Sequence, residues 1–590
     1  MTTKRDRNGA SGIREAARRV NPMAALVLVL LGVAGLYVAL LSPANFGYYS
    51  DDAVYVTTAK ALATGQGYRL ISLPTQPVQT KYPPVYPLML ALIWKVSPNF
   101  PDNLTPMLLL SVAASIVASA LTWVYLSGKG YTSKWVALLV VALAAINLNT
   151  VQFAINTFPE MPYAALSVGA LLLAEERERN KDSWAGGLTG GIVLGLLIGL
   201  AFLTRVSGIT LLAAVALYFV LRKRTKDALI PVAIGGLFVV GWFAWASHSR
   251  TPYPETNSAY YTDYFRYTLN VFKALQATEG HSLISVAWSV TTQNAIFLLI
   301  FCAPLQALGL THEWLSGLGT QIHGAILAVF YAAGALSIAL GIRRHLAQGW
   351  RLVPIYVSFY LILHALLPYP NPAFFSRYLV PILPFLVFFL VTEMYRAGEA
   401  AWRLLASPRQ IMRLGGALLG LALVTIAVLG FANHIIAIGW MLNNQKAQQS
   451  LGKAQTSPSI DWINSNTAET DVIACTNDGM YYLYTGRKAA VCFSLERALQ
   501  TPANQEEVDR ANEGLIRILQ ENKAKYLALT AGDAEFHSGG VDYSQVLKEL
   551  GAARVLTPVF LSRDGQSAVY RISLGDQRAP APARTGGPQK

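Results

Sequence analysis

Charge is scarce in this sequence, and cysteine scarcer. Of 590 residues only 14% are Asp, Glu, Lys or Arg, while 53% are hydrophobic; soluble domains run nearer a quarter charged. Three cysteines (Cys302, Cys475 and Cys492) exclude a disulfide scaffold and a cysteine-rich metal centre. Eight histidines show no HExxH-type spacing, and no Walker or GxGxxG motif joins a strand to a helix. No cofactor is expected and no dedicated metal-ligand cluster occurs, while Asp51, Asp52 and Glu160 leave binding of a divalent ion open. The net charge of +14 suggests a nucleic-acid binder at first sight. Its lysines and arginines, however, sit at the ends of apolar runs, where membrane orientation requires them. No nucleic-acid partner is expected.

What the chain has in abundance is long apolar runs. A helix needs about 20 apolar residues to cross hydrocarbon about 30 Å thick, and only a fully hydrogen-bonded backbone is tolerated there. Such runs occur near 23–43, 105–127, 135–153, 160–174, 186–204, 206–221, 228–248, 322–341, 352–368, 378–395 and 414–440. Two more, about 83–96 and 285–310, are short or broken by proline. Counting neither as a full span gathers Lys129, Lys134, Arg222-Lys223-Arg224, Arg343-Arg344 and Arg396–Arg413 on the side of the basic N-terminus, residues 1–22. That side is then cytoplasmic. The expectation is a multi-pass protein of the cell (inner or plasma) membrane, with eleven spans over 23–440, or thirteen if both ambiguous runs cross. A cleaved leader is the competing reading of the first run, which is long for one.

Residues 441–574 change character. Strand-like runs at 471–475, 489–493, 525–530, 555–561 and 568–573 alternate with a helix-like 504–522, as in a small α/β domain, here extracytoplasmic. The Pro-, Ala- and Gly-rich tail from 575 to 590 reads as disordered. In an oxidising compartment Cys475 and Cys492 have the option of a bridge if their strands approach.

With this orientation the chemically versatile residues fall on the outer face. Asp51 and Asp52 follow the first span in the outer loop 44–104. Ser50 or Asp51 can cap a surface-lying helix over 52–64, whose end is marked by Gly65 and Gly67. Lys-Tyr-Pro-Pro-Val-Tyr-Pro follows at 81–87, Thr-Phe-Pro-Glu-Met-Pro at 157–162, and Ser-Arg-Tyr-Leu-Val-Pro-Ile-Leu-Pro at 376–384. Arg205 lies between two apolar runs with no acid nearby in sequence, a functional candidate by default. Each has a plainer reading as well: a helix cap for Asp51-Asp52, a helix-start acid for Glu160, snorkelling for Arg205 and an interfacial anchor for Arg377.

In this order the motifs resemble those of the polytopic glycosyltransferases with the GT-C fold, the group of the protein O-mannosyltransferases and lipid A aminoarabinose transferases. The acidic pair after the first span, the lysine before a Pro-Pro, a second acid before a span and an Arg-Tyr-x-x-Pro-x-x-Pro segment are similar to that family's. The pair is Asp-Asp where Asp-Glu is commoner, and Tyr82 separates Lys81 from Pro83. The resemblance implies eleven to thirteen spans and an outer α/β domain. It also implies transfer of a sugar from a polyprenyl-phosphate donor, among membrane lipids, to a lipid, polysaccharide or protein acceptor.

Such a reaction needs a base for the acceptor's proton and cations for the departing phosphate. Asp51, then Asp52, is the candidate base, with Glu160 as orienting acid. Lys81, Arg205 and Arg377 are candidates for the phosphate, and Tyr55, Tyr82, Tyr260, Tyr261, Tyr264 and Tyr378 for substrate contact. A lipid-linked-glycan transporter or flippase, a glycan ligase, a phosphotransferase and an outer-face receptor are the competing classes. The polar residues cluster at one face without an internal repeat, which disfavours a transporter.

Overall fold

A computed structural model describes residues 21–47, 49–249, 268, 269, 272, 282–302, 320–367, 375–492, 505–530 and 543–574. Tyr260, Tyr261 and Tyr264, the N-terminus up to residue 20, residues 303–310 and the tail from Gly575 lie outside them. The chain divides into two compact units. The first draws on Met1–Pro43, Tyr82–His248 and Phe272–Gln448; the second draws on Ala44–Lys81, Ser249–Val271 and Gln449–Lys590.

Helix α1 (Pro22–Leu40) opens the first unit, and α2 (Asp51–Ala63) belongs to the second. The first unit continues with α3 (Val85–Val96), α4 (Leu104–Gly128), α5 (Lys134–Ala145), α6 (Leu148–Ala154), α7 (Glu160–Arg179) and α8 (Leu188–Thr204). Then come α9 (Ile209–Leu221), α10 (Thr225–His248), α11 (Leu283–Cys302), α12 (Thr320–Ala347), α13 (Leu352–Leu366), α14 (Phe375–Leu379) and α15 (Leu383–Leu405). The chain then enters α16 (Gln410–Asn466).

The apolar runs read from the sequence fall on these helices, 135–153 being divided between α5 and α6, 378–395 between α14 and α15, and 285–310 described only as far as Cys302 in α11. Four described segments, Pro22–Leu40, Leu104–Gly128, Thr225–His248 and Arg377–Leu405, are long and apolar enough to cross a membrane alone, and α5 with α6, bent by 68°, makes a fifth. Shorter apolar helices such as α3 and α13 (12 and 15 residues) reach only about 18–23 Å at 1.5 Å per residue. The outward faces are apolar: Leu28 and Leu31 of α1, Leu229 and Leu237 of α10, and Leu421 and Val424 of α16 are all 61–70% exposed. Water-facing surfaces do not carry such stripes, whereas surfaces facing hydrocarbon do. The protein is a multi-pass membrane protein.

Close packing within the first unit follows from small residues. Gly191, Gly195 and Gly199 recur every fourth position of α8 and face α10. A Cβ on Gly195 would lie 2.7 Å from Ile234 Cβ, and one on Gly199 would lie 2.2 Å from the Phe238 ring. Helices in lipid associate through this kind of backbone approach. Helix α7 runs through the core, where Tyr163 and Tyr356 share a hydroxyl hydrogen bond of 2.9 Å. About 22 Å along α7 from Glu160, buried Glu175 accepts the hydroxyls of Tyr125 and Tyr131.

The second unit contains the five-stranded sheet. Its elements are β1 (Ile473–Cys475), α17 (Asp478–Thr485), β2 (Ala489–Val491), α18 (Gln505–Glu521), β3 (Tyr526–Thr530), α19 (Tyr543–Ala552), β4 (Leu556–Leu561) and β5 (Ser567–Ile572). The strand order is β2-β1-β3-β5-β4. β1 is parallel to both neighbours, and β5 is antiparallel to β3 and β4. All five strands stand where the sequence places them. Cys475 and Cys492 are buried thiols brought together by the β1–β2 pairing, with no disulfide between them.

The same unit holds the segment after the first span. Edge strand β2 does not end in open hydrogen-bonding groups: Ala489 N–H donates to Ser72 O at 2.8 Å, and Lys488 Nζ donates to Ile71 O at 2.6 Å. Helix α2 forms as the sequence predicts, but it is not surface-lying. Asp52 through Ala59 are buried on every side of the helix, so its environment is protein all round.

Candidate active site

The acidic pair begins α2, and the backbone before it is bent sharply. Ser50, expected as a cap, has φ 59° and makes no side-chain capping bond. A non-glycine residue in that region costs about 1–3 kcal/mol and persists only where its surroundings impose it. Here Asp52 does so. Gly47 N–H donates to Asp52 Oδ2 at 2.7 Å, Ala53 N–H donates to Oδ1 at 2.9 Å, and Ser50 N–H closes the turn on Gly47 O at 3.3 Å. Asp52 is 1% exposed, so it is buried rather than a solvent-facing helix cap. Asp51, the first helical residue, stays half-buried. Burial, with the Asp52 carboxylate close by, pushes the Tyr484 phenol up to about 12. Tyr55 is buried on the same helix. Lys81, also buried, follows a small hairpin in which Leu70 N–H bonds Pro77 O and Gln79 N–H bonds Tyr68 O, both at 2.9 Å.

In the first unit three predicted residues from distant parts of the sequence meet. Glu160, the first residue of α7, is wholly buried, and its Oε1 accepts both Arg205 Nη1 and Arg377 Nε. Its Oε2 is buried without a hydrogen-bond partner among the described residues. Arg205 is extended between α8 and the short turn Val206–Gly208, where a Cβ on Gly208 would lie 2.6 Å from Phe202 Cα. Its guanidinium lies 4.9 Å over the Tyr378 ring, and that of Arg377 lies 4.3 Å over Phe158. Tyr378 in turn stacks on His364 at 5.3 Å, and Ser207 Oγ lies 3.4 Å from His364 Nε2. One carboxylate therefore orients two cations, and the cluster keeps a net positive charge.

Known proteins share both part of this sequence and its fold. Residues 81–247, which include Lys81, Glu160 and Arg205, match the family model of the dolichyl-phosphate-mannose-protein mannosyltransferases. No curated protein sequence matches the chain. Among solved structures, the apo oligosaccharyltransferase of Archaeoglobus fulgidus shares the fold at 11% identity, with TM-score 0.52 over 93% of this chain and 75% of that one. The same enzyme tethered with an acceptor peptide containing the NVT sequon gives TM-score 0.52 at 14% identity, covering 93% and 74%. ArnT from Cupriavidus metallidurans bound to undecaprenyl phosphate gives 0.49 at 14% identity, covering 96% and 99%. The chain shares the fold of these enzymes, and its residues 81–247 carry the glycosyltransferase family match.

The predicted residues fall into two groups. Asp51, Asp52, Tyr55 and Lys81 belong to the second unit; Tyr82, Glu160, Arg205, Arg377 and Tyr378 belong to the first. Tyr82 is buried. Sequence reasoning missed His364, Ser207 and Asn477. His364 carried a usable signal, an ionisable side chain inside the apolar run Tyr-Leu-Ile-Leu-His-Ala. Asn477 carried none, because only the fold brings it to the acidic pair. No group of three or more His, Cys, Asp or Glu capable of holding a metal occurs among the described residues.

Proposed function

We propose that this enzyme transfers a sugar from a polyprenyl-phosphate-linked donor to an acceptor at the extracytoplasmic face, by base-assisted displacement. The observation that supports this most is the pair of guanidiniums gathered on Glu160, two of the three residues lying within the matched region 81–247. Cations already oriented before the reaction stabilise charge developing on a departing phosphate without reorganisation. Arg205 and Arg377 take that role, with Lys81 as a third cation, and Glu160 holds the arginines in place. Asp51, accessible at the head of α2, is the base that takes the acceptor's proton; Asp52 shapes the turn that presents it. Tyr55, Tyr82 and Tyr378 are the candidates for contact with donor and acceptor. In the reaction the acceptor oxygen bonds the anomeric carbon, the bond from that carbon to the phosphate oxygen breaks, and the polyprenyl phosphate leaves as the anion.

The family's description names a dolichyl-phosphate sugar as donor, which supports the lipid-linked class. The likeness to an oligosaccharyltransferase makes an oligosaccharide the second class of transferred group to test, offered on the same kind of lipid carrier. The test is transfer of tritiated sugar from both classes by membranes carrying the wild type, Asp51→Asn or the Arg205→Ala/Arg377→Ala double variant. Transfer by the wild type alone supports the assignment. Equal transfer by Asp51→Asn removes it from the base role, and no transfer from any donor removes the reaction class.

A further inference from the structure

Resting on the reading of Asp51 as base, we infer that Asn477, in the C-terminal α/β domain, is a positioning residue for the acidic pair. The contacts form a short chain within one compact unit. Asn477 Nδ2 donates to Gly47 O at 2.5 Å, Gly47 N–H donates to Asp52 Oδ2 at 2.7 Å, and Asp52 neighbours Asp51 at the start of α2. The peptide at Gly47 is thereby held from both sides. Gly47 has φ 93°, a conformation suited to glycine, and a Cβ there would lie 2.6 Å from Met480 Sδ. Next to Met480, Gly479 sits against Ala53, where a Cβ would approach the Ala53 carbonyl carbon to 2.9 Å. The first turn of α17 is thus fitted to the loop and first turn of α2.

Asn477 has two jobs, and a substitution can separate them. Its Oδ1 caps α17 by accepting Met480 N–H at 3.1 Å, while its Nδ2 holds Gly47 O. Asn477→Asp keeps a good N-cap acceptor but replaces the donor with a second acceptor facing a carbonyl oxygen. Asn477→Ser keeps a cap and removes the amide nitrogen that reaches Gly47 O, without adding repulsion. A residue that only stabilises α17 would tolerate both. A residue that holds the base would tolerate neither, since small misplacement of a reacting group costs up to about a hundred-fold in rate.

The experiment uses the full chain in lipid nanodiscs and reads two quantities. Hydrogen–deuterium exchange of amides 49–53 is expected to quicken on the order of ten-fold in both variants, as one hydrogen bond is lost, with amides 480–485 unchanged in Asn477→Asp. Transfer from tritiated mannosyl phosphodolichol, or whichever donor of the panel above the wild type uses, is expected to show at least a ten-fold lower kcat. The donor KM should hold, and the acid limb of the pH–rate profile should move. Unchanged exchange in both variants overturns the inference. Faster exchange with wild-type kcat and pH profile overturns it too, provided Asp51→Asn is inactive. An active Asp51→Asn instead overturns the reading of the base, and the latch is then judged on the exchange alone. Gly479→Ala, which crowds Ala53 without touching the Asn477 hydrogen bonds, is expected to reproduce the fall in kcat; wild-type kcat there counts against a rigid latch.

Discussion

Replacing Glu160 by glutamine should unsettle the protein far more than the loss of one side-chain charge suggests. The carboxylate is wholly buried, and the two guanidiniums it holds are 9% and 8% exposed. Removing one partner from such an arrangement costs about 3–5 kcal/mol, because the remaining charges stay buried without compensation. Part of that cost can be worked from the geometry. Two guanidiniums bonded to one oxygen have charge centres roughly 6–8 Å apart, and their repulsion at an effective dielectric near 20 is about 2–3 kcal/mol. The glutamine amide still accepts one hydrogen bond but neutralises neither cation. Thermal unfolding of the purified protein in detergent should therefore show a clearly lowered midpoint for Glu160→Gln. The triple variant Glu160→Leu/Arg205→Met/Arg377→Met removes every charge and should recover to within about 1 kcal/mol of wild type, yet transfer no sugar. A Glu160→Gln protein that melts with the wild type would refute the electrostatic argument. A triple variant that transfers sugar would refute the role of the cluster in the reaction.

Other perturbations address other parts of the molecule. Gly199→Ala places a methyl group where the Phe238 ring stands, and should cost about 1–3 kcal/mol by overpacking, read as a lower unfolding midpoint; an unchanged midpoint would show that α8 and α10 can separate cheaply. In the α/β domain, burial pushes the Asp471 carboxyl up, but the Lys525 ammonium and the Ala468 N–H outweigh it and hold the carboxyl below its usual range. A carboxyl depressed in the fold contributes stability above its unfolded value, near 3.8, and that stability is lost as pH falls through the folded value. Asp471→Asn should therefore lower stability by about 1 kcal/mol at pH 7 and flatten the decline below about pH 4, measured by pH-dependent denaturation. For orientation, Gln66→Cys should react with a membrane-impermeant maleimide on intact cells, and Arg409→Cys only after permeabilisation. The reverse pattern would invert the proposed topology.

The sequence by itself determined what depends on local periodicity and composition. Apolar runs long enough for a bilayer became helices α1, α4 and α10 to within three residues, and the strand-like stretches at 471–475, 489–493, 525–530, 555–561 and 568–573 became the sheet. Neighbouring residues suffice for these, because helix and strand patterns repeat over a few positions. Local pattern also flagged Asp51, Asp52, Glu160, Arg205 and Arg377, since acids and bases beside long apolar runs are conspicuous. Their partners were another matter. The Arg205 and Arg377 hydrogen bonds to Glu160 span 45 and 217 residues of chain, and no spacing rule links such positions. The same holds for Asn477, which is 430 residues from Gly47. It also holds for α2, amphipathic enough to look surface-bound yet buried all round once the protein packs about it. Helix α17, rich in tyrosine and easily read as strand, forms because Asn477 caps it and Gly486 ends it at φ 74°. Tertiary structure alone decided these features, because which side chains share a buried space depends on how distant elements pack, and that information is absent from any short window of sequence.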